Sequence, residues 1–311
     1  MSLGLKTKYS DFYNYLNQKK EECSSQLKEL LKEVKSDCEL WSKMEIAFGL
    51  YTKNLKTVQE LKDLYGELNV YFNEYLLKEE ARFKPNWKMR YKCVSDILQP
   101  DKYLNDSERQ TFRAFVGDDD LRYRKTVISL NYTRTFEQLI NVKSPVVQAA
   151  FNIRAFGKPK IIHVHGELNQ DIVLGVNDIE QIANEEFRND QLAKEILIKE
   201  QSNQCMGYTR HSDCERLIKK ANLIVLHGTS LGETDQRWWN LIGQQLTKRK
   251  FFCIFYFFRI EHDIKLKQFI AEEKRKEKES IMKKLGFNDP ATYPDDLDQR
   301  LYIIPNAKLF V

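Results

Sequence analysis

Two of the five histidines in the chain, His163 and His165, stand two residues apart at the end of a long apolar run. The run begins at Pro159 and closes with His165-Gly166, and its apolar character predicts a strand buried on both faces. Open α/β sheets bind their ligands at the carboxyl ends of strands. Imidazole titrates near neutral pH and therefore suits a general base. We place the chemistry of this protein near His165, with His163 as its packed structural neighbour.

Two further predicted strands also end in polar or small residues. Asn131 follows the strand-like segment 126–130, and Gly228-Thr229-Ser230-Leu231-Gly232 follows the segment 222–227. Because parallel strands share one carboxyl edge, these two ends and His165-Gly166 are expected to lie close together. For any one of them the alternative is an ordinary turn or helix cap. Their convergence is what favours a ligand site.

The turn from Gly228 to Gly232 is compatible with two kinds of chemistry. Small residues between a strand and a helix let backbone N–H groups approach a phosphate. The same residues also match Gly-x-Ser-x-Gly, in which Ser230 would be the nucleophile of an α/β hydrolase. The hydrolase needs a later histidine, and only His262 lies downstream.

Composition narrows the class of protein. The 311 residues include 50 basic and 45 acidic side chains, a net charge of +5 that permits nucleic-acid binding without arguing for it. The six cysteines show no disulfide framework, and no signal peptide or membrane-spanning run is visible, so we expect a cytoplasmic protein. No metal site is expected, because Cys205, His211 and Cys214 lack a usual ligand spacing. The oligomeric state is left open.

Apolar spacing divides the chain in two. Residues 1–120 predict a helical region, with helical spacing from Tyr9 to about Tyr91 and a short helix at 107–115. Residues 121–311 predict an α/β core, because strands alternate with helices. Within that core we expect a short strand at 172–176, a helical stretch at 179–200, a loop at 201–213, a strand at 251–258 and a helix at 263–285.

The segment from Arg82 to Lys92 interleaves basic and aromatic residues, as single-strand nucleic-acid binders do. The alternative is a solvated segment whose aromatic side chains anchor it to the neighbouring helices. We favour that second interpretation.

Taken together, these motifs resemble the AbiH family of bacterial phage abortive-infection proteins. The matching segments occur in the family's order along nearly the whole chain: Gly4-Leu5-Lys6-Thr7-Lys8-Tyr9-Ser10-Asp11-Phe12, Asn131-Tyr132-Thr133-Arg134-Thr135-Phe136-Glu137, His163-Val164-His165-Gly166-Glu167-Leu168, Gly175-Val176-Asn177-Asp178 and Gly228-Thr229-Ser230-Leu231-Gly232-Glu233-Thr234-Asp235.

AbiH proteins in turn look like distant relatives of the sirtuins, which have a Rossmann-like, NAD-binding parallel sheet flanked by helices. The resemblance implies that Asn131 positions a water or the nicotinamide ribose and that His165 acts as the base. It also implies a set of NAD-binding residues: Gly166, Asn177, Gly228, Thr229, Ser230 and Asp235. The sirtuin Asp two residues after the Asn is replaced by Thr133, and the four-cysteine zinc module has no counterpart. We therefore expect NAD hydrolysis or plain NAD binding rather than deacylation.

The amino terminus departs from the family. AbiH proteins open with a strand ending in Gly-Asn-Gly-Phe-Asp, and Met1-Ser2-Leu3 stands in its place here. We expect that Met1 is an internal methionine of a longer reading frame. If the 311-residue form is itself the native protein, it lacks that central strand and its dinucleotide-binding loop, and we then expect weak or absent NAD binding.

The sequence therefore predicts a phage-defence protein that binds NAD or a related nucleotide and hydrolyses it, with an unidentified phage-derived trigger. Two alternatives stay open. One is a serine hydrolase that uses Ser230, and the other is a non-enzymatic module whose helical half binds nucleic acid or a protein.

Overall fold

A computed structural model of the chain describes residues 9–33, 41–98, 100–116, 125–140, 145–150, 159–229, 231–249, 252–258 and 267–305. Several sequence-based expectations lie outside the described residues. They concern the opening residues 1–8, the candidate nucleophile Ser230 and its candidate partner His262.

The first third of the chain is helical, as its spacing predicts. Local sequence fixes the start of the longest helix, because Thr57 accepts a hydrogen bond from the Glu60 N–H while the Glu60 carboxylate accepts one from the Lys56 N–H. The helices of this region are α1 (Tyr9–Gln18), α2 (Ser25–Glu33), α3 (Trp41–Tyr51), α4 (Val58–Arg82), α5 (Trp87–Leu98) and α6 (Asp106–Val116). The last of these is the helix predicted at 107–115.

Five short strands, all parallel, make two small sheets in the described part of the chain. They are β1 (Thr126–Ser129), β2 (Lys160–His163), β3 (Leu223–His227), β4 (Cys253–Phe258) and β5 (Leu301–Pro305). One sheet pairs β1 with β2, and the other has the order β3-β4-β5. The predicted α/β class is confirmed, although the chain is mostly helical and has two small sheets where the sequence predicted one.

Two predicted strand features are wrong. Strand β2 ends at His163, so His165-Gly166 lies in the turn that follows. The apolar segment 172–176 is buried but irregular, with a single bridge between Val176 and Ile198. Side chains replace the missing ladder there, because the hydroxyls of Tyr132 and Tyr65 donate to the carbonyls of Val173 and Leu174 at 3.2 and 3.3 Å.

Helices also occupy most of the second half. They are α7 (Thr135–Leu139), α8 (Pro145–Ala150), α9 (Glu185–Asn189), α10 (Gln191–Leu197), α11 (Lys199–Cys205), α12 (Arg210–Lys220), α13 (Gln236–Lys248) and α14 (Lys267–Lys284). The helical stretch predicted at 179–200 is divided because Asn184 and Asp190 each cap a new helix. Helices α11 and α12 fill most of the predicted loop at 201–213. Of the helices described, none has both the length and the apolar character to cross a bilayer.

Two large cores hold these elements together. The first joins buried side chains of α1 to α4 with Leu168, Leu174, Val176 and Leu197 of the second half. It therefore crosses residue 120, where the sequence predicts a domain boundary. The second core contains Ile162 of β2 and Leu226 of β3, so the two sheets share one apolar interior. This shared interior sets the strand ends relative to one another.

Candidate functional site

The turn after β2 depends on a glycine. Gly166 has a φ of +85°, a region that side chains with a Cβ rarely adopt. A Cβ at this position would also stand 1.8 Å from the carbonyl oxygen of Asp171. The Val173 N–H donates to the His165 carbonyl at 2.9 Å, which closes the loop behind the turn. The glycine thus allows the chain to turn back sharply and directs His165 into the interior.

His165 is buried and paired with a carboxylate. Only 2 % of the residue is exposed, and its Nε2 lies 2.8 Å from Oδ1 of Asp235. Asp235 ends the short 3-10 helix Glu233–Asp235, which leads into α13. The structure therefore joins two of the predicted site residues that are 70 positions apart.

A buried lysine holds Asp235 in its charged form. Lys199 of α11 places its Nζ 3.2 Å from Asp235 Oδ1 and 2.8 Å from Glu45 Oε2. Burial alone would raise the pKa of Asp235, but the charge of Lys199 and the hydrogen bond from His165 lower it well below its usual range. Burial opposes the charge of Lys199 as well, yet Asp235 and Glu45 raise the Lys199 pKa above its ordinary value. The cluster is an ion network that extends from α3 to α11 and to the start of α13.

The second ring nitrogen of His165 is the chemically informative one. An ionised carboxylate only accepts hydrogen bonds, so the neutral imidazole donates from Nε2 and carries its lone pair on Nδ1. That Nδ1 is buried and has no hydrogen-bond partner among the described residues. A buried polar atom without a partner costs about 1–3 kcal/mol, which a bound water or ligand hydroxyl would offset.

Three more buried polar atoms near residues 164–166 have no hydrogen-bond partner within the described residues. They are Nδ1 of His211, Nη1 of Arg210 and Oδ1 of Asn203. The rings of His165 and His211 are 6.4 Å apart, and the Asn203 amide donates to the Val164 carbonyl at 3.2 Å. Arg210 Nη1 would stand 3.2 Å from a Cβ on Gly166. Burial, reinforced by the charge of Lys199, lowers the pKa of His211 to about 3, so this histidine is neutral. The four atoms mark a polar region that lacks part of its hydrogen bonding.

Asn131 lies at the exposed end of β1, and its backbone is fixed by His163. The Asn131 carbonyl accepts from His163 Nδ1 at 2.7 Å, while His163 Nε2 lies 2.8 Å from Oε1 of Glu137. Burial disfavours the charged ring, but the hydrogen bonds to Glu137 and to the Asn131 carbonyl raise the pKa of His163. Burial likewise opposes the Glu137 carboxylate, and its bond to His163 lowers the Glu137 pKa. No hydrogen bond joins Asn131 to His165 in the described structure, although the ring of Tyr132 lies 6.2 Å from that of His165.

Of the remaining predicted site residues, Asn177 contacts the start of α13, and Gly228 and Thr229 directly follow β3. Asn177 Oδ1 accepts from the Arg237 N–H at 3.1 Å, two residues beyond Asp235. Gly228 has a φ of +63°, and the Thr229 hydroxyl accepts from the Leu231 N–H at 3.1 Å. Neither Gly228 nor Thr229 bonds to His165 among the residues described.

A cleft of about 690 Å³ opens beside the His163–Glu137 pair rather than beside His165. Its polar lining includes Glu80, Lys84, Arg134, Glu137 and Asn169. The volume falls in the range of small-molecule sites.

Sequence reasoning missed Glu45, Lys199 and Arg210. Lys199 and Arg210 lie on polar helices, where nothing in the local spacing distinguishes them from solvated side chains, and Glu45 lies on a mostly apolar helix with no motif around it. Glu45 and Lys199 are separated by 154 positions, so only the folded chain reveals their contact. Within the described residues, no group of three or more His, Cys, Asp or Glu side chains is arranged to hold a metal ion.

Comparison with known proteins identifies the family. A model of the family described as bacteriophage abortive infection AbiH matches residues 1–257. Searches of curated proteins and of solved structures each found no match. The matched region covers most of the chain and includes every motif on which the resemblance depended. The chain belongs to the bacteriophage abortive infection AbiH family.

Proposed function

We propose that this protein acts in phage abortive infection by binding NAD, or a related nucleotide, and hydrolysing it with His165 as the base. Membership of the AbiH family suggests the abortive-infection role. The nucleotide chemistry is the further step, and the hydrogen bonding of His165 carries it. A histidine with one nitrogen held by an ionised carboxylate and the other nitrogen unpartnered is arranged as a general base.

The reaction needs few groups. Water attacks the ribose carbon of the nicotinamide–ribose bond, and nicotinamide leaves as a neutral molecule with the bonding electron pair. The carbon passes through an oxocarbenium-like state, as in glycoside hydrolysis. His165 Nδ1 accepts the proton that the water loses, and Asp235 stabilises the resulting imidazolium. Asn131 would orient the water or the ribose from the exposed end of β1.

In this proposal, further residues bind the nucleotide. Gly228, Thr229 and Ser230 would present backbone N–H groups to the pyrophosphate, with Asn177 and Gly166 bordering the ribose. The unpartnered Nη1 of Arg210 supplies a cationic donor beside Gly166. Two parallel sheets with one shared interior support a Rossmann-like, sirtuin-like architecture as part of this proposal.

The test is nicotinamide release from NAD by purified protein, together with NAD loss in cells infected by phage. The proteins compared are the 311-residue chain and its His165→Asn and Asn131→Ala variants. We expect release to fall at least about 100-fold in either variant, which is the lower end of a general-base contribution. Thermal melting shows whether each variant is folded.

His262→Asn is the control for the alternative chemistry. We expect this variant to retain full activity, because His262 has no part in the proposed site. If activity is lost with His262→Asn and Ser230→Ala but kept with His165→Asn, the serine hydrolase replaces our proposal. If the NAD content of infected, protected cells stays unchanged, NAD hydrolysis is not the mechanism.

A further inference from the structure

Helix α5 presents two large aromatic side chains to solvent. Trp87 is 70 % exposed and Tyr91 is 58 % exposed. Residues four apart on a helix are neighbours on one face, so the two rings stand side by side. The sequence led us to expect aromatic side chains that anchor this segment. Phe83 and Met89 do pack inward against Cys93 and Leu139, but Trp87 and Tyr91 do not.

The packing of α5 fixes this orientation. Cys93 and Val94 are buried, and the Asn86 side chain caps the helix by accepting from the Met89 N–H at 3.0 Å. Arg90 ties the helix start to its surroundings, because its guanidinium donates to the carbonyls of Pro85 and Gln138. The helix cannot turn to bury Trp87 without exposing Cys93 and Val94. The aromatic face is therefore a rigid part of the surface.

The charged residues in the sequence segment that carries this face are all basic. Residues 81–95 contain five basic and no acidic side chains, whereas the whole chain carries 50 basic and 45 acidic residues. Arg82 pairs with Glu79, but Lys84 and Lys88 are exposed and have no acidic partner among the described residues. The Lys88 ammonium lies 5.9 Å from the Trp87 ring centre. Exposed rings are thus interleaved with cationic groups available for contact.

The same face continues into the cleft. Lys84 and Phe83 line it, and so do the amide side chains of Gln138, Asn169 and Gln170, together with the charged Arg134, Glu80 and Glu137. Amides both donate and accept hydrogen bonds, which is what the edges of unpaired bases require.

From this arrangement we infer that the face formed by Lys84, Trp87, Lys88 and Tyr91 binds single-stranded nucleic acid. Bases stack on Trp87 and Tyr91, and the backbone phosphates contact Lys84 and Lys88. An acidic polypeptide would satisfy the two lysines but would leave the flat aromatic faces without a stacking partner. A duplex would hide the bases that these rings contact. The inference is independent of the NAD chemistry at His165.

The test measures fluorescence anisotropy of a labelled oligothymidylate or oligouridylate about twelve nucleotides long, a typical site size for such binders. We expect Trp87→Ala to weaken binding by about tenfold or more, and Trp87→Phe to retain most of it because the ring remains. Phe269→Ala is the matched control, since Phe269 is 49 % exposed on α14 among both acidic and basic residues. That variant should bind like the wild type.

Salt dependence tests the lysines separately. Between about 50 and 200 mM salt, the slope of log K against log salt falls by about 0.7 for each phosphate contact removed. The double variant Lys84→Gln, Lys88→Gln should therefore reduce the slope by about 1.4 relative to the wild type.

Three results would overturn the inference. The first is equal affinity for a duplex of the same length. The second is equal competition by an oligo-glutamate, which would assign the face to an acidic polypeptide. The third is loss of a dimer in Trp87→Ala by light scattering, which would assign it to a second copy of the chain.

Discussion

The end of β2 and the turn after it carry two histidine–carboxylate pairs that differ in the hydrogen bonding of one ring nitrogen. Both nitrogens of His163 are engaged, one by the Asn131 carbonyl and the other by Glu137. His165 uses only Nε2, toward Asp235, and its Nδ1 is buried without a partner in the described structure. The two residues are separated by one valine and have the same chemistry in isolation.

This difference shows that the hydrogen-bond partners of each ring determine whether the histidine is structural or can act as a base. A carbonyl oxygen can only accept, so Nδ1 of His163 must carry a proton, and its bond to Glu137 favours a second proton on Nε2. His163 is therefore a clamp that fixes the end of β1, and, against the effect of burial, the same two hydrogen bonds raise its pKa. The Nδ1 of His165 has no hydrogen-bond partner among the described residues, so in the neutral ring its lone pair is available to accept a proton, which is the property a base needs.

The largest expected effect comes from the lysine that maintains the His165–Asp235 pair. Lys199→Met removes the buried cation and leaves Glu45 and Asp235 uncompensated, so we expect the free energy of unfolding to fall by about 3–5 kcal/mol in urea titrations. Adding Glu45→Gln should restore part of that loss. The control Lys62→Gln, at an exposed site on α4, should stay within about 0.5 kcal/mol. A loss below about 1 kcal/mol for Lys199→Met would show that the cluster does not hold Asp235.

A smaller effect should separate the two histidines directly. We expect His163→Gln to cost about 2–3 kcal/mol, because two hydrogen bonds of a charged ring are lost. His165→Gln should cost about half as much, because it removes one hydrogen bond to a carboxylate together with an unpartnered buried atom. Nicotinamide release should show the opposite order. If His165→Gln destabilises the protein more and leaves release intact, His165 is the structural residue of the two.

The next effect is the part of the His163 contribution to stability that changes with pH, which should be a fraction of the loss of about 2–3 kcal/mol in His163→Gln. The pKa of His163 is raised in the folded protein, so its contribution to stability is fully present below the ordinary histidine pKa of about 6.5. The contribution is lost as pH rises through the raised value. The stability difference between wild type and His163→Gln should therefore shrink from pH 6 toward alkaline pH. A difference that grows over that interval would contradict the assignment of His163 as charged.

The smallest effect is expected for an exposed ion pair near the same edge. Arg134 Nε lies 2.6 Å from Glu167 Oε2, but the arginine side chain is 55 % exposed. Glu167→Gln should cost at most about 1 kcal/mol, and high salt should remove even that. A cost above about 2 kcal/mol would mean that burial is not what distinguishes the Lys199 cluster.

The sequence predicted elements whose signal is local. Strands β1, β3 and β4 are short apolar runs bounded by polar residues, and the family motifs were visible as strings. The segment 172–176 has the same apolar signal, yet it packs into the helical core and receives hydrogen bonds from tyrosine side chains instead of a strand. Trp87 was misplaced because a helix with aromatic residues on both faces does not show which face is outward.

The candidate site was predictable only as far as its residues belong to local motifs. His165 and Asp235 were recognisable from their motifs, but their contact and the ion network around Lys199 depend on residues far apart in the chain. The unpartnered nitrogen of His165 is a property of the folded interior alone.

The core that α1 to α4 share with residues 168–198 has a consequence during synthesis. Chains emerge from the ribosome at about 5–20 residues per second, and amino-terminal segments generally fold first. Here the early helices pack on one another, but Leu168, Val176 and Leu197 complete the core that they share. For several seconds the nascent chain therefore exposes part of this core, until residues from beyond the first two strands arrive. The rate of translation, and the access of chaperones during it, therefore affect the yield of folded protein.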